Sequence, residues 1–411
     1  MENKKIVILA NKYPNSIEPT TNMFIQQLAW SFADMKYDCI VICPMPINFN
    51  IKYTSIPIKR VETNENGSKI LVYSPKYISF GQSGKFLQKT RVRLTTFLYE
   101  KAVEKIILKI KEKIDFIYAY FLCPTGVTAA KLGKKFNIPA YMEHGEALYA
   151  GNEKYGNLYL NKVLKSLNGV IAVSNQNKDY LLDAGIIEND KIIVEPNCYR
   201  EERFYYINKA EARKHFGWSE EKFIVGYAGS IDDRKGAKRI EKAIEKLENV
   251  YLAVAGIGDL IQENQKCILA RPIMHNELVY FYNALDVFVL PTLAEGSCTA
   301  TAEAIGCGCP IISSNRKFNE NLCDENNSIL VEPENIEEIE EAIKSLVKNE
   351  EKIKSMRDAS LEKAKSLKQS ERMKRVENFI NSTKKWKEIQ WNRYQKQFII
   401  YGLEKKKKAN L

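Results

Sequence analysis

Two glutamates, Glu295 and Glu303, are separated by seven residues in the stretch P-T-L-A-E-G-S-C-T-A-T-A-E-A-I-G-C-G, 291 to 308. Carboxylates accept hydrogen bonds from hydroxyls, and two placed on either side of a diphosphate would suit an activated sugar. The same spacing also fits a surface turn followed by a solvated helix, so both readings stay open on these residues alone. A second cluster is G-S-I-D-D-R-K-G, 229 to 236, where the Gly229-Ser230 turn precedes Arg234 and Lys235 at a helix entrance. Cations there add to the helix N-terminal dipole and suit a diphosphate leaving group, although surface cations are common. The third is His144 in E-H-G, one of three histidines. It is expected just past a strand, facing a ligand, while a lone histidine often has a purely structural role. A single G-x-G in A-G-I-G-D, 255 to 259, falls short of the G-x-G-x-x-G of a dinucleotide fold.

Each cluster needs elements to position it. D-V-F-V-L, 286 to 290, reads as a strand buried on both faces. Pro291 stops it, Glu295-Gly296 turns, and 299–307 is helical up to the stop signals Gly308 and Pro310. Backbone N–H groups opening such a helix suit a phosphate at the carboxyl edge of an α/β sheet. Further strands are expected at 223–228, 250–255, 265–270, 310–313 and 328–331, with helices between them. Earlier in the chain, strands at 5–10, 38–43, 69–73, 115–120, 138–142, 169–173 and 191–194 alternate with helices at 22–33, 124–136 and 175–185, the last capped by Ser174. The loop 13–23 lies over the cleft and lacks paired glycines. Residues 44–84 otherwise read as irregular, with a G-Q-S-G turn at 81–84. A long helix follows from Gly84 to Lys113, opening with Lys85, Lys89, Arg91 and Arg93 among Phe86, Leu87, Leu94, Phe97 and Leu98. Such a segment fits a core stripe or an anionic bilayer.

The fold class is therefore α/β, with two Rossmann-like lobes facing a central cleft. The expected domains are 1–197, 198–368, a helix at 369–381 crossing back to the first lobe, and a basic aromatic extension at 382–411. At 411 residues, 45% hydrophobic and 27% charged, the chain is globular and too long for one core. Its net charge of +11 is uneven. Residues 1–200 hold 27 Lys and Arg against 18 acids, 201–350 hold 17 against 26, and 351–411 hold 18 against 7. Basic ends suggest an anionic partner, a membrane surface or nucleic acid, or simply a solvated lysine-rich surface. Nucleic acid would leave the acidic middle and the glutamate loop without a purpose. The apolar run at the N-terminus is too short for a signal peptide core, and none spans a bilayer. Nine cysteines without a C-x-x-C pair read as reduced thiols of a cytosolic protein, with a metal site the remote alternative.

Four segments resemble retaining glycosyltransferases of the GT-B fold, in particular family 4, and the likeness covers roughly 1–381. E-H-G-E-A (143–147) is similar to the His-Gly segment of the first lobe, and 173–197, ending K-I-I-V-E-P-N, to the hinge-side pattern. The segment 229–236 is similar to the basic donor-phosphate loop, and 282–312 resembles the E-x7-E donor motif throughout. The resemblance implies that Glu295 contacts the donor sugar and Glu303 the ribose, while backbone N–H groups of Gly296, Ser297, Cys298 and Thr299 approach the diphosphate. Arg234 and Lys235, beside Gly229 and Ser230, would neutralise the departing nucleotide, with His144 near the transferred sugar. The loops at 270–272, including Arg271, and at 297–299 would read base and sugar. The implied reaction moves a sugar from a UDP- or GDP-sugar substrate to a glycan or lipid-linked acceptor. It needs no metal or other cofactor and occurs in the cytoplasm, at the membrane surface. Three positions depart from the pattern: Ser230 stands where arginine is frequent, Asn22 where glycine is usual, and Cys198 follows Pro-Asn in place of glycine. The first departure leaves room for a sugar-nucleotide-binding partner subunit without catalysis. Oligomeric state is not legible.

Overall fold

The computed structural model describes residues 3–81, 87–147, 154–258 and 261–383. The first lobe carries β1 (Lys5–Leu9), β2 (Asp38–Ile42), β3 (Met45–Pro46), β4 (Lys59–Thr63), β5 (Lys69–Tyr73), β6 (Lys76–Tyr77), β7 (Phe116–Tyr120), β8 (Ala140–His144), β9 (Gly169–Ala172) and β10 (Ile192–Val194). Among the described residues its main sheet runs β10-β9-β8-β7-β1-β2-β5-β4, and β3 pairs with β6. Helices α1 (Met23–Asp34), α2 (Gln88–Ile107), α3 (Val127–Phe136), α4 (Asn157–Leu164) and α5 (Asn175–Asp183) cover it. The apolar residues of β1 do not alternate, because both faces are covered: Ile6 to Leu9 are all fully buried. Ser174 caps α5, its Oγ accepting from the Asn177 N–H at 3.2 Å.

The second lobe carries β11 (Phe223–Ser230), β12 (Val250–Ile257), β13 (Cys267–Arg271), β14 (Val287–Leu290), β15 (Ile311–Ser314) and β16 (Ser328–Val331). All neighbours are parallel, in the order β13-β12-β11-β14-β15-β16. Its helices are α6 (Lys209–Phe216), α7 (Ala237–Ile244), α8 (Leu278–Ala284), α9 (Thr299–Gly306), α10 (Ile336–Lys344) and α11 (Glu350–Leu367). Strand order reverses at β11, which lies between β12 and β14. That reversal opens a crevice at the carboxyl ends of β11 and β14, where the loops 231–236 and 291–298 emerge.

A last helix, α12 (369–383), returns to the first lobe. It buries Met373, Val376 and Ile380 in that lobe's core, and the Tyr141 hydroxyl donates to the Ile380 carbonyl at 3.1 Å. Two chain crossings are paired at the hinge, where Tyr199 N–H donates to Leu367 O at 3.1 Å and Gln369 N–H to Tyr199 O at 2.9 Å.

Several expectations change. Residues 44–84 are not mainly irregular, since β3 to β6 lie within them and β4 runs antiparallel to β5. Its alternating charged residues, K-R-V-E-T, hid this edge strand. The long basic helix is shorter than 84–113, ending at Ile107 with Leu108 as its C-cap. The helix after β7 starts at Val127, because a turn around Cys123-Pro124 occupies the positions before it. His144 is the last residue of β8 rather than a residue beyond it. Helix α12 continues to 383, past the expected start of the tail. The remainder of the basic aromatic extension, 384–411, lies outside the described residues, as do Lys85, Phe86 and residues 82–84 of the G-Q-S-G turn.

Candidate active site

The loop after β11 is shaped by short-range hydrogen bonds. Ser230 Oγ donates to Asp232 Oδ2 at 2.7 Å, and the Lys235 N–H donates to Asp232 Oδ1 at 2.8 Å. Burial would raise the Asp232 carboxyl, but these bonds and the adjacent Arg234 and Lys235 hold it below the usual value. Gly229, at φ 143°, sits in backbone space that favours glycine. The lone G-x-G belongs to this packing. A Cβ at Gly256 would fall 2.1 Å from the Gly229 carbonyl oxygen, and one at Gly258 2.7 Å from that of Ile231. Those glycines let β12 approach the loop.

Arg234 and Lys235 leave this turn side by side and meet the loop after β14. Arg234 Nη1 donates to Ala294 O at 2.5 Å and to Glu295 Oε1 at 2.6 Å, while Lys235 Nζ lies 2.6 Å from the same oxygen. Leu293 N–H donates back to Arg234 O at 2.8 Å. The side chains of Glu295 and Lys235 are only 12% and 16% exposed. Burial works against the charge on Lys235, but Cys298 and Glu295 outweigh it and keep its pKa above the usual lysine value. Two cations share the Glu295 carboxylate and Asp232 stands beside them, so the four groups balance in formal charge.

Beyond Glu295, Gly296 touches the opposite lobe. A Cβ there would fall 2.3 Å from the Gly145 carbonyl oxygen, so the two backbones are in contact. Gly145 follows His144, whose buried imidazole stacks on Tyr180 at 5.8 Å and pairs through Nδ1 with the Glu146 carboxylate. Burial alone would raise Glu146. His144 and the Leu122 N–H, which donates to Oε1 at 2.5 Å, bring it below the usual value instead. Glu146 stood inside the quoted E-H-G-E-A, but nothing in its type or spacing set it apart.

Helix α9 opens at the same place. Cys298 is its N-cap and supplies no side-chain cap bond. Asn197, from the hinge, holds the loop: its N–H donates to Ser297 Oγ at 3.1 Å, and its Nδ2 donates to Ser297 O at 2.7 Å and to Thr299 Oγ1 at 3.0 Å. Sequence reading took Asn197 for a boundary residue, since a bond spanning 100 positions leaves no local pattern. Glu303 stands apart from Glu295. It is buried in α9, and the Tyr282 hydroxyl donates to its Oε2 at 2.9 Å. Burial pushes its carboxyl up to about 7. It lines a narrow interlobe pocket with Thr299, Asn197, His275, Glu143 and Arg372. There Arg372 of α12 donates to Glu143 Oε1 at 2.7 Å, in a fully buried pair joined by the Tyr118 hydroxyl on Oε2 at 2.5 Å. Arg271 ends β13 exposed and does not line the pocket of Glu303. Among the described residues, no group of three or more His, Cys, Asp and Glu could hold a metal ion.

With this geometry in view, residues 208–363 match the family of glycosyl transferases group 1. That part of the chain is similar to group 1 glycosyltransferases. The match spans the loops of Arg234 and Glu295, and hence most of the second lobe. Over 360 residues the chain is 25% identical to the putative teichuronic acid biosynthesis glycosyltransferase TuaC of Bacillus subtilis (strain 168), covering 82% of this chain and 88% of that one. It is also 25% identical, over 58% of its length and 64% of the relative's, to the capsular polysaccharide biosynthesis glycosyltransferase CapM of Staphylococcus aureus. In fold the chain resembles sucrose-phosphate synthase from Thermosynechococcus elongatus, at a TM-score of 0.71 and 16% identity, over 95% and 99% of the two chains. It also resembles Anabaena HepE in complex with UDP and glucose, at 0.65 and 14%, over 92% and 100%. The fold is GT-B.

Proposed function

We propose that this chain is a glycosyltransferase that moves a sugar from a UDP- or GDP-sugar to a saccharide or lipid-linked acceptor during polysaccharide or glycoconjugate assembly, keeping the anomeric configuration. The observation that carries the reading is the shared grip of Arg234 and Lys235 on Glu295, against the Gly145–Gly296 contact that brings His144 close. In this reading Glu295 receives donor-sugar hydroxyls, and Arg234 and Lys235 receive the diphosphate. The open N-terminus of α9, held in place by Asn197, faces the same anion. Charge developing as the sugar–phosphate bond breaks is met by fixed cations and backbone N–H groups, without a metal or other cofactor. Glu303, protonated or ionised near neutrality, suits paired ribose hydroxyls because a carboxyl at that balance can donate as well as accept. The TuaC and CapM names support a polysaccharide product.

A peripheral site at the cytoplasmic face of the membrane is part of the same reading. Exposed Leu87, Leu94, Phe97 and Leu108 recur at helical spacing along α2. Phe49, Ile51, Ile78 and Phe80, also exposed, lie on segments following β2 and β5, at the cleft-side edge of the sheet. Residues 51–113 hold fourteen Lys and Arg against five acids. Apolar groups among cations match an anionic leaflet.

Hydrolysis and transfer assays with a panel of UDP- and GDP-sugars test the donor side. Lys235→Ala is expected to lower kcat by about 10²–10³, the usual cost of losing one donor to a developing charge. Turnover equal to the parent protein in both Lys235→Ala and Glu295→Ala would overturn the assignment.

A further inference from the structure

Behind the cleft, at the hinge, a groove of about 560 Å³ runs between α1, the turn joining β4 to β5, residues 200–202 and the start of α12. That volume is in the range of small-ligand sites. It adjoins the pocket of Glu303, because Gln27, Ser31, Arg200, Gln369 and Met373 line both. Between the two spaces the Gln369 side chain of α12 donates to Ser31 Oγ of α1.

The lining has a distinct chemistry. Trp30 supplies an aromatic face, and its indole Nε1 is shielded from solvent with no acceptor among the described residues. Around it stand planar amides and carboxylates: Asp34, Asn64, Asn66, Glu65 and Gln27. Asp34 accepts from Asn64 Nδ2 at 2.9 Å and Asn66 Nδ2 at 3.0 Å, which fixes the rim. Burial opposes its charge, yet bonds from Ser68, Asn64 and Asn66 hold it below the usual value, so it is an acceptor only. Four acids, Asp34, Glu65, Glu201 and Glu202, face Arg200 and Lys374, with Arg203 paired to Glu65 and Arg200 to Glu202, so the charge stays net negative. A phosphate, nucleotide or uronate would be repelled; an uncharged polyhydroxyl ligand would not.

We propose that this groove is a second saccharide site that takes a neutral stretch of the acceptor glycan several units away from the reacting end. The inference rests on the glycosyltransferase reading above, with the glycan leading from the Glu303 pocket past Ser31 and Gln369 onto the face of Trp30. An aromatic ring covers the apolar face of a pyranose, while amides and carboxylates pair with its hydroxyls.

Saturation-transfer NMR on the full chain, with maltotetraose, cellotetraose and tetra-N-acetylchitotetraose as probes and trigalacturonate as the charged comparison, tests it. At least one neutral tetrasaccharide is expected to bind, and trigalacturonate is not. Trp30→Ala should weaken that binding at least fivefold. Because Trp30→Ala could loosen α1, Lys374→Trp serves as a second variant, filling the groove from an exposed position with the same expected loss. UDP or GDP binding, read by thermal shift, should stay within twofold in both variants. The groove assignment is overturned if no neutral tetrasaccharide binds, if trigalacturonate binds as well, or if both variants bind sugar like the parent. Saccharide binding with no response to any nucleotide sugar would uphold the groove while removing the donor assignment.

Discussion

Glu303 is largely enclosed, lining the interlobe pocket, and receives one hydrogen bond, from Tyr282, so burial sets its carboxyl near 7 rather than near 4.5. The linkage follows from the sign of that shift. Between about pH 4.5 and 7 the folded chain holds a proton there that the unfolded chain has lost, so stability falls as pH rises through this window. Above pH 7 the charged, buried carboxylate costs about 3 kcal/mol by the usual conversion of a pKa difference. Glu303→Gln removes the titration while keeping an oxygen for Tyr282. Its thermal midpoint should therefore exceed the parent's at pH 8 and match it near pH 4.5; equal midpoints at both would show that Glu303 is not buried as described. At this scale the sequence was partly legible. Glu295, Glu303, Arg234 and Lys235 belong to segments whose types and order carry the resemblance, and the structure gathers Glu295 with the two cations while holding Glu303 in a separate pocket. Tyr282 and Glu146 were not legible, because an ordinary tyrosine on a helix and an ordinary glutamate after a strand become partners only through tertiary contact.

Contact between elements, rather than any single side chain, brings the two halves of the site together. Gly296 opens toward α9 and Gly145 follows β8, and their backbones meet with no room for a methyl group. Gly296→Ala would force the lobes apart at the point where Gly145, next to His144, meets the loop of Glu295. Misplacement of about 1 Å near reacting atoms can cost about 10²-fold, and a loss of that order in kcat is expected. Since the clash is relieved by separating the lobes, the thermal midpoint should change little; full activity in Gly296→Ala would show that the lobes do not close as described. Behind this contact, Arg372 of α12 binds Glu143 of β8 and the Pro196 carbonyl at 2.9 Å, so one buried guanidinium ties the last helix to the strand carrying His144. Element existence was legible from periodicity: the unbroken apolar runs of β1, β11 and β14 and the cap Ser174 could be read directly. β4 was not, since an edge strand with one polar face resembles a loop. Asn22 shows how a departure from pattern can be absorbed. It takes the left-handed conformation at φ 44° where a glycine would be usual, and asparagine tolerates that region better than most side chains.

Over the whole molecule the two lobes differ in charge, with the acidic groups concentrated in the second lobe and cations in the first lobe and the last sixty residues. No helix among the described residues is long and apolar enough to cross a membrane. In the peripheral reading proposed above, a lipid-anchored acceptor is met at the surface of the bilayer, and the exposed stripe of α2, beside Phe49 and Phe80 at the cleft-side edge, is the face suited to it. Each cation near an anionic leaflet contributes about 1 kcal/mol and is screened by salt, whereas inserted apolar side chains are not. Two components should therefore separate in a flotation assay with vesicles of phosphatidylglycerol and phosphatidylcholine. The parent protein is expected to float with anionic vesicles and not with pure phosphatidylcholine, and to be released progressively by salt. Leu94→Glu with Phe97→Glu, both exposed on α2, should weaken binding by about tenfold or more, since charge replaces apolar contact at the interface. Removing residues 384–411 tests the basic extension independently. If that truncation alone abolishes flotation and the α2 pair has no effect, the tail carries the attachment and the first lobe does not face the membrane. If the α2 pair abolishes it, the cleft opens toward the lipid, and a lipid-linked acceptor can enter beside Phe80 without leaving the bilayer.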